Sequence, residues 1–158
     1  MNLFPATDLR LLHHVWSLMV EQDKVKIVFS AGGVFDEVGW VRLMTGRNRY
    51  GLCAFKDDQL VLTSWLTDFG AVGTAYVHFC GFGATRAVLE GGKAAMSYYE
   101  KLPGLKVMMG LTPSWNRPAV KFSEAMGMTR LCTIPKILPR RYSLDRDDGI
   151  LTTRLMEV

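Results

Sequence analysis

Residues 105–128, LKVMMGLTPSWNRPAVKFSEAMGM, decide the fold of this 158-residue chain. The almost continuous apolar run at 105–111 is typical of a strand that is covered on both faces. Pro113 ends this strand, because proline has no amide hydrogen to donate to a sheet. Ser114 or Asn116 can then cap a helix. The stretch therefore predicts a buried strand followed directly by a helix.

The predicted helix carries its own start and stop signals. Pro118 falls in the first turn, where no amide hydrogen is needed. Ala119, Phe122 and Met126 form one apolar stripe at helical spacing. Gly127 suits the left-handed conformation that often ends a helix. We expect a short helix that packs on the sheet through this stripe.

A second helix and a second strand precede this stretch. Residues 73–80 read as a strand, and residues 85–101 have the cleanest helical periodicity in the chain, with Pro103 and Gly104 as its stop. Strand, helix and the strand at 105–111 therefore form a β-α-β unit, which is almost always right-handed.

The other segments give weaker signals. They predict an edge strand (1–5), a helix from Asp8 capped by Thr7, a strand (24–30), a helix (35–45), a hairpin (50–55 with 59–66), a strand (129–134), a charged loop (138–148) and a closing strand (150–156). Consecutive strands without helices between them should pair antiparallel. We see no linker or repeat, so residues 1–158 are expected to form a single domain.

Composition excludes few classes of protein. Apolar residues make up 49% and charged residues 22% of the chain, which is ordinary for a globular protein. No apolar run approaches the roughly 18 residues of a membrane span, and no export signal is visible. Cys53, Cys80 and Cys132 lack metal-type spacing, so we expect reduced, mostly buried thiols in a cytoplasmic protein.

The pattern of Asn116, Ala119, Phe122, Gly127 and Met128 after a strand resembles the second half of the Gcn5-related N-acetyltransferase (GNAT) family. The wording GLTPSWNRPAVKF is most similar to a divergent branch found in phage and prophage proteins. The resemblance implies an α+β (α/β) fold: a mixed, mostly antiparallel central sheet flanked by helices, with a central β-α-β unit and splayed strands. It also implies a single acyltransferase domain that uses acetyl-CoA as cosubstrate.

In that family acetyl-CoA lies in a wedge between two strands, and backbone amides at a helix start hold its pyrophosphate, because those amides have no internal partners. The usual (Arg/Gln)-x-x-Gly-x-(Gly/Ala) loop is missing here. Two placements are open. The first, which we favour, is the stretch Gly81, Phe82, Gly83, Ala84, Thr85 and Arg86; the second is residues 91–94. Alternatively, these glycines only end a strand and allow close helix packing.

The resemblance also implies roles for residues on the second helix. Asn116 matches the residue that contacts the pantetheine arm or the strand opening, although a plain helix cap explains it as well. Arg117 could reach a cofactor phosphate or be solvated. Phe122 stands where many members have a tyrosine that protonates the departing thiolate. This chain therefore lacks the best-known acid of the family.

His78 is the candidate base, because it lies on the strand that should border the cofactor and imidazole titrates near neutral pH. It shares a strand face with Tyr76 and Cys80. A lone strand histidine is more often a hydrogen-bonded core residue, and Cys80 as an acyl acceptor is a weaker alternative because buried thiols are usually inert.

Three functional hypotheses follow. The first is an acetyl-CoA-dependent N-acyltransferase that acts on an unidentified amine. The second is a catalytically inactive GNAT-shaped phage or prophage protein with a structural or binding role. The third, weaker hypothesis is nucleic-acid binding by basic loops around Arg47, Arg49, Arg140 and Arg141. The net charge of +4 and pI of about 9.1 suit a phosphate-bearing ligand or a merely solubilising surface. No membrane partner is expected, and a homodimer through the C-terminal strand is an open prediction.

Overall fold

A computed structural model describes residues 1–30, 33–34, 36–47, 49–140 and 144–156. Its twelve elements are β1 (Asn2–Pro5), α1 (Leu9–Glu21), α2 (Val25–Val28), α3 (Glu37–Thr45), β2 (Tyr50–Lys56), β3 (Gln59–Thr67), β4 (Thr74–Gly81), α4 (Thr85–Tyr99), β5 (Val107–Pro113), α5 (Arg117–Ala125), β6 (Thr129–Pro139) and β7 (Arg146–Leu155). Among these residues, none of the helices combines the length and apolar character that a membrane crossing requires.

The strands form one seven-stranded sheet in the order β1-β2-β3-β4-β5-β7-β6. Every neighbouring pair is antiparallel except β4 and β5, which are parallel and joined through α4. This confirms the predicted mixed, mostly antiparallel sheet with a central β-α-β unit. β7 runs antiparallel to β6, as expected, but it also inserts between β5 and β6.

The sheet separates two apolar cores. On one face α4 and α5 cover Leu62, Leu66, Val77 and Met108. On the other face α1 and α3 pack around a cluster that includes Trp40 and Trp65, whose rings meet edge to face with centroids 5.3 Å apart. Side chains alternate between the faces along each strand. Residues 76, 78 and 80 of β4 therefore share one face, and residues 75, 77 and 79 share the other.

Local signals explain most of the element boundaries. The Asn116 side chain caps α5 by accepting a hydrogen bond from the Ala119 amide at 3.3 Å, and Pro118 lies in the first turn. Gly127 has a φ of +77°, which is the predicted left-handed stop. The hairpin between β2 and β3 turns through Asp57 and Asp58, both with positive φ.

Three of the sequence predictions were wrong or incomplete. Residues 24–30 were expected to form a strand, but they contain the short helix α2, because β1 already occupies the sheet edge beside β2 and leaves no partner for another strand there. The expected loop at 138–148 is shorter, since β6 extends to Pro139 and β7 starts at Arg146. The first helix is capped by Asp8, not by Thr7.

Candidate functional site

A gap opens between β4 and β5. The two strands pair only from Thr74 to Tyr76 on β4 and from Val107 to Met109 on β5. Beyond this point β4 stays paired with β3 as far as Gly81, and β5 stays paired with β7 as far as Pro113. Each strand thus follows its outer neighbour, and the two diverge from each other. The amides and carbonyls on the facing edges are left without the pairing that a continuous sheet would provide.

A cavity of about 1080 Å³ passes through this gap. Its lining includes His78 and Cys80 from one face of the sheet and Val77 and Phe79 from the other, so it connects the two sides. This volume lies slightly above the range of roughly 300–1,000 Å³ that is typical of small-molecule sites. The sheet, which is otherwise a closed layer, therefore has a passage at the diverging strands.

The open end of the gap meets the start of α4. The helix begins at Thr85, and the preceding Ala84 has no side chain that could cap it. The first bond within the helix is donated by the Val88 amide to the Ala84 carbonyl at 3.0 Å. The amides of residues 84–87 therefore have no partner within the helix and carry its partial positive charge.

Two glycines shape this connection differently. A Cβ on Gly81 would lie 2.7 Å from Cγ1 of Val88, so only glycine fits where the strand passes the helix. Gly83 has ordinary space around it. The Phe82 amide donates to the Val61 carbonyl at 2.8 Å and is therefore not free for a ligand. The amides from Ala84 onward are the ones available to an anion.

The second predicted placement of the anion loop, residues 91–94, is wrong. These residues lie inside α4, where Gly91 and Gly92 are buried. A Cβ on Gly92 would come within 2.6 Å of Phe122 and of Met126. The two glycines therefore allow close packing of α4 against its neighbours, and their amides belong to the helix.

The predicted cofactor residues divide into two groups. Gly81, Gly83, Thr85 and Asn116 line the cavity. Phe82, Ala84, Arg86 and Arg117 do not line it, although Ala84 occupies the N-cap position of α4 and Arg86 lies in its first turn. The Arg86 side chain is 91% exposed and pairs with Glu90 one turn along the helix.

His78 is held within the wall of the cavity. Its ring stacks on Trp65 with centroids 5.3 Å apart and an interplanar angle of 12°. Its Nε2 lies 3.0 Å from Oγ1 of Thr67. Burial lowers the pKa of His78 to about 4, with Asp68 opposing this shift and Arg49 adding to it. The imidazole is therefore neutral at neutral pH, and its protonated form is a stronger acid than free imidazolium.

Cys80 and Phe122, the other two residues considered for a catalytic role, are both poorly reactive. Burial raises the pKa of the Cys80 thiol to about 12, so the thiolate is scarce. Phe122 packs edge to face on Phe79 with centroids 5.1 Å apart, and its side chain has no proton to donate. The sequence pattern placed Tyr76 only on the same strand face as His78, yet Tyr76 also lines the cavity. The two-residue spacing from His78 along β4 is the sequence feature that could have identified Tyr76 as a cavity residue.

The cavity also has charged groups that the sequence did not bring together. Lys24, Arg49 and Asp68 all line it, although they come from three separate connections. Within the described residues, no group of three or more His, Cys, Asp or Glu side chains is placed to hold a metal ion.

Solved structures with the same fold decide what this arrangement resembles. A GNAT-family acetyltransferase from Bacillus anthracis superimposes with a TM-score of 0.77 at 17% identity, over 100% of this chain and 97% of that one. The chain has the fold of the GNAT acetyltransferases. No family model and no curated protein matches this GNAT-like chain by sequence.

Two further structures have named substrates of their own. A Salmonella typhimurium acetyltransferase that modifies the N-terminal serine of ribosomal protein L7/L12 gives a TM-score of 0.81 at 10% identity, covering 98% of this chain and 94% of that one. A Vibrio cholerae spermidine N-acetyltransferase, solved with CoA and spermine, gives 0.79 at 10% identity, covering 98% and 95%. At these identities the similarity establishes the fold of this GNAT-like chain.

Proposed function

We propose that this protein is an acetyl-CoA-dependent N-acetyltransferase that transfers an acetyl or related acyl group to an amine. One observation carries the proposal: the gap between β4 and β5 opens directly onto the uncapped start of α4. A cleft with backbone donors at its mouth suits a ligand that has a diphosphate at one end and an extended arm. The acetyltransferase structures with this fold support the same reading.

The residues present fit the phosphate end of acetyl-CoA. The amides of residues 84–87 converge at the helix start, and Gly81 allows the strand to pass close beneath the helix. Arg86 and Lys56 both pair with Glu90, which leaves one net positive charge beside the first turn. Backbone amides rather than a dedicated arginine would therefore make most of the hydrogen bonds to the diphosphate.

The arm would run along the facing edges of β4 and β5. From Gly81 back to Tyr76, five residue-to-residue steps of about 3.3 Å each give roughly 16 Å of strand edge. Asn116 lines the cavity, and only its Oδ1 is used in capping α5. Its side-chain amide group can therefore donate to the arm while the cap is kept, so the two roles considered for Asn116 are compatible.

The reaction requires one proton to leave the amine and one to reach the thiolate. Acetyl-CoA, when bound, supplies a thioester whose carbonyl carbon the amine attacks. We assign the first proton to neutral His78, which faces the cavity and has a ring nitrogen beyond the one that contacts Thr67. With a pKa of about 4 it is a weak base, so it would pass the proton on rather than store it.

The missing tyrosine at position 122 does not prevent the transfer. An ordinary thiol has a pKa of about 8.5, so a thiolate leaves far more readily than an alkoxide. A general acid typically contributes about 10²–10⁴-fold to the rate. Tyr76, on the cavity wall two residues before His78, is the side chain that we assign to this step.

A catalytically inactive binding protein is the second candidate, and Phe122 is the observation that favours it. Under this reading the protein is a phage or prophage component whose cleft binds a CoA-type ligand or a partner without turnover. Release of free thiol from acetyl-CoA together with acetylation of any amine would exclude it. For either candidate we propose a cytoplasmic location.

Isothermal titration of the Thr85→Pro variant with acetyl-CoA tests the proposed phosphate site. Proline is well tolerated at the first position of a helix, and Ala84 already has the extended conformation, φ −60° and ψ 144°, that a residue before proline requires. The variant therefore removes one amide donor with little strain. Loss of one hydrogen bond to a charged group should weaken binding by roughly 10–100-fold.

Two controls accompany this variant. Thr85→Ala removes the side chain but keeps the amide. Leu9→Pro makes the same change at the first position of α1, after Asp8 with φ −76° and ψ 127°, away from the cavity. Both should bind acetyl-CoA like the unaltered chain. If the unaltered chain gives no binding heat and no thermal stabilisation at millimolar acetyl-CoA, the proposed function is wrong.

A further inference from the structure

The wall of the cavity around His78 has a charge pattern that the proposed reaction does not explain. Arg49 directly precedes β2, and Asp68 directly follows β3. Tyr50 pairs with Leu66, and Thr67 pairs with Tyr76, so both charged residues lie at the end of the sheet where β4 and β5 are still joined. This end is opposite to the start of α4. Whatever binds near these charges approaches from the side away from the phosphates.

Among the residues that the structure describes, the positive charges here have no ion-pair partner. Lys24 and Arg49 are partly buried and line the cavity. Neither side chain makes an ion pair or hydrogen bond with any residue in the described ranges, whereas Lys56, Arg86, Arg140 and Arg154 each pair with a carboxylate. A partly buried cation loses hydration, and an anion that arrives with a ligand restores the lost interaction.

These charges act on the strand face from which His78 projects. The guanidinium of Arg49 contributes to the lowered pKa of His78, and Asp68 opposes it. Lys24 in turn partly offsets the raised pKa of Cys80, two residues further along the same face. Two positive charges and one negative charge on the cavity wall therefore act on the strand face that carries His78 and Cys80.

Much of the remaining lining on this side is apolar, although Ser30 and Thr67 also contribute to it. Ile27, Val28, Phe29 and Leu43 contribute to it, and all four come from the helical face of the molecule or its connections. A ligand held here thus needs an apolar body as well as charges that complement the wall.

We propose that the acyl acceptor is a small amino carboxylate with an apolar side chain, a class that leucine represents. Its carboxylate would pair with Arg49, assisted by Lys24, and its amine would lie toward Asp68 and His78. This inference rests on the proposed N-acetyltransferase function. A polyamine such as spermidine fits poorly, because its additional positive charges would face Arg49 and Lys24.

The transfer balances with these components alone. The amine first loses a proton to solvent by way of His78, and its nitrogen lone pair then attacks the thioester carbonyl carbon. A C–N bond forms, the C–S bond breaks, and the sulfur leaves with the bonding electrons. The nitrogen releases its second proton as the amide forms, and the thiolate takes up one proton from Tyr76 to give the free thiol. The carboxylate of the acceptor takes no part in bond making and serves only to place the amine.

Acceptor competition tests the inference with matched amines. Leucine and 3-methylbutylamine differ only by the carboxylate, leucinamide keeps the backbone but lacks the negative charge, and spermidine adds positive charge. Rates of thiol release from acetyl-CoA, expressed per free amine, should give leucine a kcat/KM about 10-fold or more above that of each of the others, as expected for a charge-assisted pair. Leucinamide also mimics a peptide N-terminus, so faster turnover of leucinamide than of leucine would indicate a protein acceptor.

Arg49→Gln should raise the KM for leucine by roughly 10–100-fold while the KM for 3-methylbutylamine and the Kd for acetyl-CoA stay unchanged. Arg47→Gln, an exposed arginine two residues earlier that does not line the cavity, is the matched control. Thermal unfolding of both variants checks that they are folded.

The outcomes separate the two proposals. Equal or better turnover of 3-methylbutylamine, leucinamide or spermidine overturns the acceptor class and leaves the acetyltransferase function intact. Binding of acetyl-CoA without acetylation of any of the four amines also counts against the acceptor class. Absence of acetyl-CoA binding overturns the proposed function itself, and the acceptor class with it.

Discussion

His78 shows how much a single residue depends on surroundings that the sequence does not display. Alternation along β4 correctly predicted that it shares a face with Tyr76 and Cys80. The stacking on Trp65 and the contact with Thr67 come from the neighbouring strand, so they required the register of the β3–β4 pair. Burial against that strand lowers the pKa of His78, which no pattern within residues 74–81 could indicate.

The lowered pKa predicts a pH dependence of folding stability. The unfolded chain takes up a proton on this imidazole near pH 6.5, whereas the folded protein does so only near pH 4. The stabilising contribution is therefore complete above pH 6.5 and is lost as the pH falls toward 4. By linkage it amounts to about 3 kcal/mol in all.

Urea unfolding at pH 7.0 and 4.5 measures this contribution in His78→Gln, where the glutamine amide can still reach Thr67. The loss of stability between the two pH values should be smaller in the variant by about 2 kcal/mol or more. His14→Gln removes an exposed imidazole on α1 and is the control. An identical loss in the unaltered chain and in His78→Gln would mean that this imidazole is not buried in neutral form.

At the scale of elements, local signals predicted the β4-α4-β5-α5 half well. Pro118, Gly127 and the regular periodicity of α4 act within a few residues of where they are read, so the sequence contains them. The strand predicted at residues 24–30 was wrong because polar–apolar alternation is also compatible with a one-turn helix. Only the occupied sheet edge excludes a strand there. The insertion of β7 between β5 and β6 depends on distant pairing and has no local signal.

Two glycines, one before β4 and one before β5, make a matched pair for mutagenesis. Gly73 has a φ of +80° and Gly104 a φ of +81°. A Cβ on Gly73 would lie 2.4 Å from the Gly104 carbonyl oxygen, whereas a Cβ on Gly104 would meet nothing within 4 Å. The Gly73 carbonyl also accepts hydrogen bonds from the amides of Lys106 and Val107 at 2.7 and 3.1 Å.

Alanine at the two positions should therefore have different costs. Gly104→Ala pays only for the left-handed conformation, about 1–2 kcal/mol. Gly73→Ala adds a backbone clash, so we expect it to lower the free energy of unfolding by at least about 1 kcal/mol more. Denaturant titration of both variants measures the difference. Equal values would show that the start of β4 is less closely packed on residues 104–107 than the structure indicates.

At the scale of the whole molecule, the proposed function depends on one break in an otherwise continuous sheet. The two apolar cores lie on opposite faces, and the cavity crosses between them only where β4 and β5 diverge. The GNAT resemblance of residues 105–128 predicted this divergence. The charged wall around Arg49 and Asp68 could not be predicted, because its members lie far apart in the chain and meet through the fold.

A crystal structure of the protein with acetyl-CoA is the most direct test of the central claim. We expect the diphosphate oxygens to lie within hydrogen-bond distance of the amides of residues 84–87, with the arm between β4 and β5 beyond Tyr76 and Met109. A cofactor bound elsewhere, or β4 and β5 hydrogen-bonded to each other as far as Gly81 and Pro113, would contradict it.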